Sequence, residues 1–132
     1  MVDDLTLLLR AQHFAVVDQQ IFAEVAPTGV NLPYVLTEGL EGTDHLNTLD
    51  GGGDLEFADV DVVVKCSSPS QAKEIATKLI KPFIRDYVGA MGTAVCKAVL
   101  LMDAYAGKEQ PVANGPWRFT YTLSLNVQYV PA

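Results

Sequence analysis

The C-terminal segment, residues 118–130, constrains the fold of this chain most strongly. Apolar or aromatic side chains alternate there with polar ones without interruption. Successive side chains of a β-strand point to opposite faces, so this alternation predicts a long strand with one buried face. The apolar set consists of Phe119, Tyr121, Leu123, Leu125, Val127 and Tyr129. A strand of this length needs neighbouring strands and a hydrophobic layer against one of its faces.

A second alternating strand and a helix follow one another in the middle of the chain. Residues 56–66 alternate in the same way, and a helix start comes directly after them. Ser68 is a suitable N-cap, and Gln71 completes a capping box. From residue 72 to residue 88 apolar side chains recur at i, i+3 and i+4, which predicts one long amphipathic helix, bent at Pro82.

The remaining segments predict shorter elements. A leucine-rich helix is expected over residues 3–12, with Asp3 or Asp4 as its cap. Strands are expected over residues 33–39 and 95–105. The order of helix, strands, long helix and strands predicts the α+β class.

The predicted architecture is an antiparallel or mixed sheet of about four to five strands, with the long helix and the short N-terminal helix packed on one side. The 132 residues fit a single domain spanning residues 1–132. Residues 41–54 are predicted to form a flexible loop, since they contain three consecutive glycines that are costly to order.

The charge of the chain is unevenly distributed. The formal net charge is −7, and no Lys or Arg lies between Glu38 and Asp61. Nucleic-acid binding depends on clustered Lys and Arg, so this balance argues against it. We therefore expect opposite-charge docking between copies of the chain. The chain has no apolar run long enough for a membrane span and carries acids at its start, so we expect a soluble, cytoplasmic protein with Cys66 and Cys96 as buried thiols.

No motif in the sequence predicts catalysis, a cofactor or a metal. His45 lies in the glycine-rich loop without a second histidine nearby, and that loop lacks the closing Glu of a calcium site and the Lys of a phosphate-binding loop. Ser68 is explained by helix capping. Asp59 and Asp61 point to one side of their strand, where a solvated face or a partner contact is the expected role. We therefore expect a protein that is not an enzyme.

The polar face of the last strand is the strongest indication of an interface. No charged residue occurs after Arg118, although a water-exposed sheet face usually carries Lys or Glu. Interface centres are depleted in charge, so this face is predicted to contact another chain, with cover by the chain's own segments as the alternative. The predicted subunit interface comprises Thr120, Thr122, Ser124, Asn126, Gln128, Lys78, Lys81 and Arg85. The acids predicted to face a channel or a partner are Glu38, Glu41, Asp44, Asp50, Asp54, Asp59 and Asp61.

Four features occur in a recognisable order along the chain. They are the leucine helix leading to Ile21-Phe22 and Pro27, the segment Pro33-Tyr34-Val35-Leu36, the strand Asp61-Val62-Val63-Val64-Lys65-Cys66 running into a helix at Ser68 to Ala72, and the final strand ending at Tyr129-Val130-Pro131. In this layout the chain resembles the tail terminators, or tail-completion proteins, of tailed bacteriophages.

The resemblance implies a structural virion protein in the tail or neck, assembled in the host cytoplasm. It implies a homo-oligomeric, hexameric ring that ends the tail tube and binds the tube protein and a head-completion or neck protein. DNA would pass through the ring without specific binding, which agrees with an acidic rather than a basic lumen. Two alternatives remain: another homo-oligomeric neck, head-completion or tube protein, and a small ligand-binding domain or enzyme.

Overall fold

A computed structural model describes residues 1–39, 45–46 and 55–130 of the chain. It contains an N-terminal helix, a second helical region and seven strands. The elements in chain order are α1 (Val2–Ala11), β1 (Ile21–Ala23), β2 (Tyr34–Gly39), β3 (His45–Leu46), β4 (Glu56–Cys66), α2 (Pro69–Glu74), a π-helical segment (Ile75–Ile80), α3 (Lys81–Ile84), β5 (Gly89–Met91), β6 (Ala94–Glu109) and β7 (Arg118–Val130).

The strands form one mixed sheet in the order β1-β2-β4-β7-β6-β5, and β3 pairs with β4 beside this path. β1 and β2 are parallel, and the other pairs are antiparallel. The predicted α+β class is confirmed. The predicted strand number was too low, because β3 and β5 have only two and three residues and are too short to show a periodicity.

Both helical regions lie on one side of the sheet, as predicted. Leu5 and Leu9 of α1 and Ile80 of the π-helical segment belong to the same buried cluster as Val62 and Leu123 of the central strands. The cores of β4 and β7 therefore follow the period-2 pattern of the sequence. The sheet has a covered face toward the helices and a second face away from them, which we call the open face.

The second helical region departs from the predicted single α-helix. α2, the π-helical segment and α3 are continuous over residues 69–84, which we call the composite helix. The Lys81 N–H bonds to the Ala76 carbonyl, five residues back, and Pro82 follows without an N–H of its own. Residues spaced by four drift about 40° around an α-helix at each step. The wider turn offsets this drift and keeps Ile80 and Ile84 on the buried face.

The composite helix is also shorter than predicted. It ends at Ile84, and Arg85 already has an extended backbone. Gly89 therefore begins β5 and does not end a helix, while Val88 is exposed in the connection. The apolar periodicity continued past the end of the helix because Tyr87 packs against Phe83 from that connection, with ring centroids 5.4 Å apart.

The predicted acidic cap of α1 was wrong. Met1 is the N-cap, and no side chain bonds to the exposed end of the helix. Asp4 instead accepts a hydrogen bond from the Thr93 N–H at 3.1 Å, which ties the helix to the β5–β6 turn. Gly92 is required in that turn, since its φ is +60° and an added Cβ would lie 2.2 Å from the Asp4 carboxylate.

β6 contains two irregularities that interrupt its pairing with β7. The register skips one residue between Cys96 and Ala98 and another between Leu101 and Asp103. Each skipped residue exchanges the faces of all residues that follow, as expected for a β-bulge. Between the bulges, Ala98 to Leu101 alternate regularly between the two faces, so the apolar run in the sequence reflects apolar side chains on both faces of the strand.

Candidate interaction surfaces

The open face carries polar residues of β7 and acids of β4 in direct register. Ser124 lies opposite Asp61, and Asn126 lies opposite Asp59. The Ser124 hydroxyl donates to Asp61 Oδ1 and the Asn126 amide donates to Asp59 Oδ1, each at 2.8 Å. The Gln128 amide continues the row with a 3.4 Å bond to Asn126 Oδ1. We call this set, formed by Asp59, Asp61, Ser124, Asn126 and Gln128, the polar ladder.

The polar ladder explains part of the missing charge on β7. The carboxylates of β4 supply the charge of this face, and the uncharged side chains of β7 supply hydrogen-bond donors to them. Thr122 is buried within the described structure, while Thr120 is half-buried. The alternating Asp59-x-Asp61 and Ser124-x-Asn126 spacings were visible in the sequence, but the pairing of β4 with β7 was not.

An ion pair and an Arg–Tyr contact connect neighbouring strands at one end of the open face. Lys65 of β4 pairs with Glu109 of β6 at 2.8 Å. Arg118 of β7 donates to the Tyr34 hydroxyl at 3.0 Å and lies over the ring of Tyr34. These contacts span strands β2, β4, β7 and β6, so they hold four strands in one register.

Glu38 of β2 lies between the polar ladder and the contacts made by Lys65 and Arg118. It is half-buried and directly opposite Asp61. Burial raises the pKa of the Glu38 carboxyl above its ordinary value; Lys65 lowers it, and Asp61, Glu24 and Glu109 raise it further. An acid in such surroundings is sensitive to anything that covers the face, because added burial disfavours its charged form.

Of the predicted basic residues, Lys78 and Lys81 lie on the composite helix and Arg85 directly follows its end. Lys78 pairs with Glu74 at 3.2 Å, and Arg85 lies 3.8 Å from Asp86. Lys78 and Arg85 are exposed, and Lys81 is half-buried. This basic surface and the acids of the open face lie on opposite layers of the molecule. A contact between them therefore joins two copies of the chain.

Four of the predicted acids lie outside the described residues, and so does most of the predicted flexible loop. These acids are Glu41, Asp44, Asp50 and Asp54. Of the loop, the structure describes only the backbone of β3, which pairs His45 with Phe57 and Leu46 with Glu56. The proposed orientation of these acids toward a channel or a partner stays a prediction.

The described residues contain no group of three or more His, Cys, Asp and Glu side chains arranged to hold a metal. His13 pairs with Asp18 at 2.7 Å on the exposed surface. Cys66 and Cys96 are free, buried thiols, as predicted. Burial raises the pKa of Cys66 to about 11, so its thiol is a poor nucleophile at neutral pH.

An apolar groove lies between α1 and β1, at the edge of the sheet farthest from β6. Its volume is about 370 Å³, and Leu7, Phe22 and Val25 line it together with Asp3 and Arg10. Arg10 Nε donates to the Ile21 carbonyl at 2.7 Å, and its guanidinium lies over the Phe22 ring. No helix among residues 1–39 and 55–130 has the length and hydropathy to cross a bilayer.

No protein family matches the chain, and no curated protein sequence matches it. Among solved structures, a chain from the virion of a native gene transfer agent particle has a similar fold, with a TM-score of 0.65. The match covers 96% of this chain and 93% of that chain, at 13% sequence identity. At this identity the likeness establishes a shared fold over nearly the full length of both chains.

Proposed function

We propose that this chain is a structural subunit of a phage-like virion, and that it serves there as a ring-forming tail terminator. In this role, copies of the chain form a ring, with a hexamer as the expected state. The ring caps the tail tube, joins it to the head-completion or neck proteins and lets DNA pass.

The observation that carries the proposal is the shared fold with a virion chain. The likeness extends over 96% of this chain and 93% of the other, so the fold is shared as a complete unit. Fold alone does not determine function. The order of elements that resembles the tail terminators is an independent indication from the sequence.

The charges of the chain support a role in assembly and not in nucleic-acid binding. The net charge is −7, and the polar ladder contributes two carboxylates to one face of the sheet. Phosphates are repelled by a chain of this net charge, which allows DNA to slide through a ring. The basic composite helix lies on the opposite layer, so head-to-tail contacts between copies bring opposite charges together.

Two different surfaces in contact also account for a closed ring. A heterologous contact repeats around an axis and closes if its rotation fits, whereas a self-complementary contact stops at a dimer. The acids proposed to face a neighbour are those of the open face, and the cations are Lys78, Lys81 and Arg85. The Thr and Gln side chains of β7 are proposed to lie within this contact.

Localisation in particles tests the proposal directly. We expect an antibody against the chain to label one position, the head-proximal end of the tail. We expect loss of the gene to give tails of uncontrolled length that do not join heads. Label repeated along the shaft would identify a tube subunit, and a chain absent from particles would refute the virion role.

A further inference from the structure

The outer edge of β6 is the least protected part of the sheet in the described residues. β5 covers this edge only from Ala94 to Cys96, and one further backbone bond, from the Asp86 N–H to the Val99 carbonyl, reaches it at 3.3 Å. From Leu100 to Glu109 no described backbone group bonds to the edge. Natural proteins usually shield a strand edge of this length, so its cover is expected to come from another molecule.

Large apolar side chains are exposed along the same strand. The exposed fractions are 44% for Leu100, 65% for Met102 and 47% for Tyr105. Leu100 and Tyr105 lie on the open face, opposite Asn126 and Thr122. Met102 is the residue skipped by the second bulge, and a bulge redirects the side chain it carries. We call Leu100, Met102 and Tyr105 the β6 strip.

The opposite edge of the sheet is protected in its backbone but not in its side chains. Arg10 occupies the Ile21 carbonyl, so β1 does not present that group to another strand. The groove beside it remains open, and its rim residues Leu7 and Val25 are 56% and 77% exposed. This edge is therefore suited to receive apolar side chains and not to extend the sheet.

The charges beside the two surfaces are complementary. Exposed Lys97 and Lys108 flank the β6 strip, and the Asp103 carboxylate between them is bound to the Ala104 N–H of its own chain. Exposed Asp3 and Glu24 flank the groove; the Glu24 carboxylate accepts from the Gly39 N–H of its own chain at 3.1 Å, and Arg10 Nε donates to the Ile21 carbonyl. Opposite charges thus favour contact between the two edges, and like charges disfavour contact of either edge with itself.

We propose that the β6 strip of one copy occupies the α1–β1 groove of the next copy, with Met102 as the central side chain. This inference rests on the proposed ring, for which it supplies the apolar part of the subunit contact. The two surfaces lie at opposite edges of one sheet. Repetition of the contact therefore leads from copy to copy, and it gives a ring when the rotation between copies closes.

A mixing experiment with two double variants tests the contact. Met102→Glu with Tyr105→Glu disables the strip, and Leu7→Glu with Val25→Glu disables the groove. Each variant alone is expected to sediment as a monomer under conditions where the unaltered chain assembles. A one-to-one mixture is expected to form a dimer and nothing larger, because one intact strip meets one intact groove. The dimer also shows that both variants are folded.

Exposed Val112 in the connection between β6 and β7 supplies the control, since Val112→Glu introduces the same change outside both surfaces and should leave assembly intact. Normal assembly of either double variant overturns the inference. So does a mixture that stays monomeric, or an unaltered chain that never self-associates. Labelling of particles is independent of this result. If the chain is found at the tail end but its double variants assemble normally, only the proposed contact is refuted. If the contact is confirmed but the chain is absent from particles, only the virion role is refuted.

Discussion

A buried pair of hydroxyl groups joins α1 to β2. Thr6 donates to the Val2 carbonyl at 2.7 Å, so the hydroxyl of Thr37 supplies the proton in its contact with Thr6. The Phe22 carbonyl is a second, more distant acceptor for the Thr37 hydroxyl, at 3.4 Å. Both threonines are buried on the covered side of the sheet. A buried polar pair stabilises the fold only while both members are present. A buried hydroxyl that loses its partner has given up its hydrogen bonds to water without replacement, which destabilises the fold.

Thr37→Val is therefore expected to lower the free energy of unfolding by about 1 kcal/mol, and Thr6→Val by a similar amount. The double variant should lose less than the sum, since neither hydroxyl is then left alone. Denaturant unfolding of the four proteins measures this coupling. Exposed Thr28→Val is the control and should change little. Strict additivity would show that the two hydroxyls do not interact.

Glu38 gives the fold a pH dependence of predictable sign. Its pKa is raised in the folded protein, so its ionised form destabilises the fold above the folded pKa. This penalty is absent below the unfolded value of about 4.5. Glu38→Gln should therefore raise the urea midpoint at pH 7.5, and its advantage should vanish as the pH falls below that value. An equal advantage at pH 4 would contradict the assignment to ionisation.

At the level of elements, β4 and β7 were predictable because each has one buried face. Their alternation fixed both the strand type and the buried residues, and the bounds of 118–130 and 56–66 are confirmed. β3 and β5 are held by pairing with longer neighbours and leave no pattern of their own. The composite helix was predictable as a helix, but its π-helical turn depends on how Ile80 and Ile84 pack on the sheet.

The start of the composite helix is the element boundary that the sequence predicted best. Ser68 Oγ accepts from the Gln71 N–H at 3.4 Å, as expected for an N-cap. Ser68→Ala should lower the free energy of unfolding by up to about 1 kcal/mol, and Ser68→Asp should retain most of the stability. Thermal or urea unfolding measures the difference. Ser67→Ala, at the exposed neighbouring position, should be nearly neutral; an equal loss there would exclude capping as the cause.

For the whole molecule, the residue types of the candidate surfaces were predictable and their arrangement was not. Asp59 and Asp61 were predicted to share one side, and the structure confirms it. Their partners Ser124 and Asn126 come from a strand more than sixty residues away in sequence. The β6 strip was not predicted. Its exposure arises because no described strand pairs with the outer edge of β6 at these residues, and strand order cannot be read from the sequence.

Charge reversal at the end of the composite helix and at the residue that follows it tests the electrostatic part of the proposed assembly. Lys81→Glu with Arg85→Glu is expected to weaken self-association, and to remove the loss of association that added salt causes in the unaltered chain. Sedimentation at several ionic strengths measures both effects. Lys73→Glu changes the same charge on the same helix and is the control for Lys81→Glu alone. Unchanged assembly and salt dependence in the double variant would show that these cations do not pair with a neighbour.

The two bulges of β6 each shift the alternation of its sequence by one residue, and the second shift cancels the first. Val95 and Cys96 obey one assignment of odd and even positions to the two faces, Ala98 to Leu101 obey the reverse, and Asp103 onward returns to the first. Deleting Lys97 alone would remove the first bulge, because Ala98 would then follow Cys96 in regular alternation and keep its place opposite Gln128. Deleting Met102 would remove the second bulge in the same way. Related chains are thus expected to gain or lose a single residue at either position without moving the neighbouring side chains to the other face.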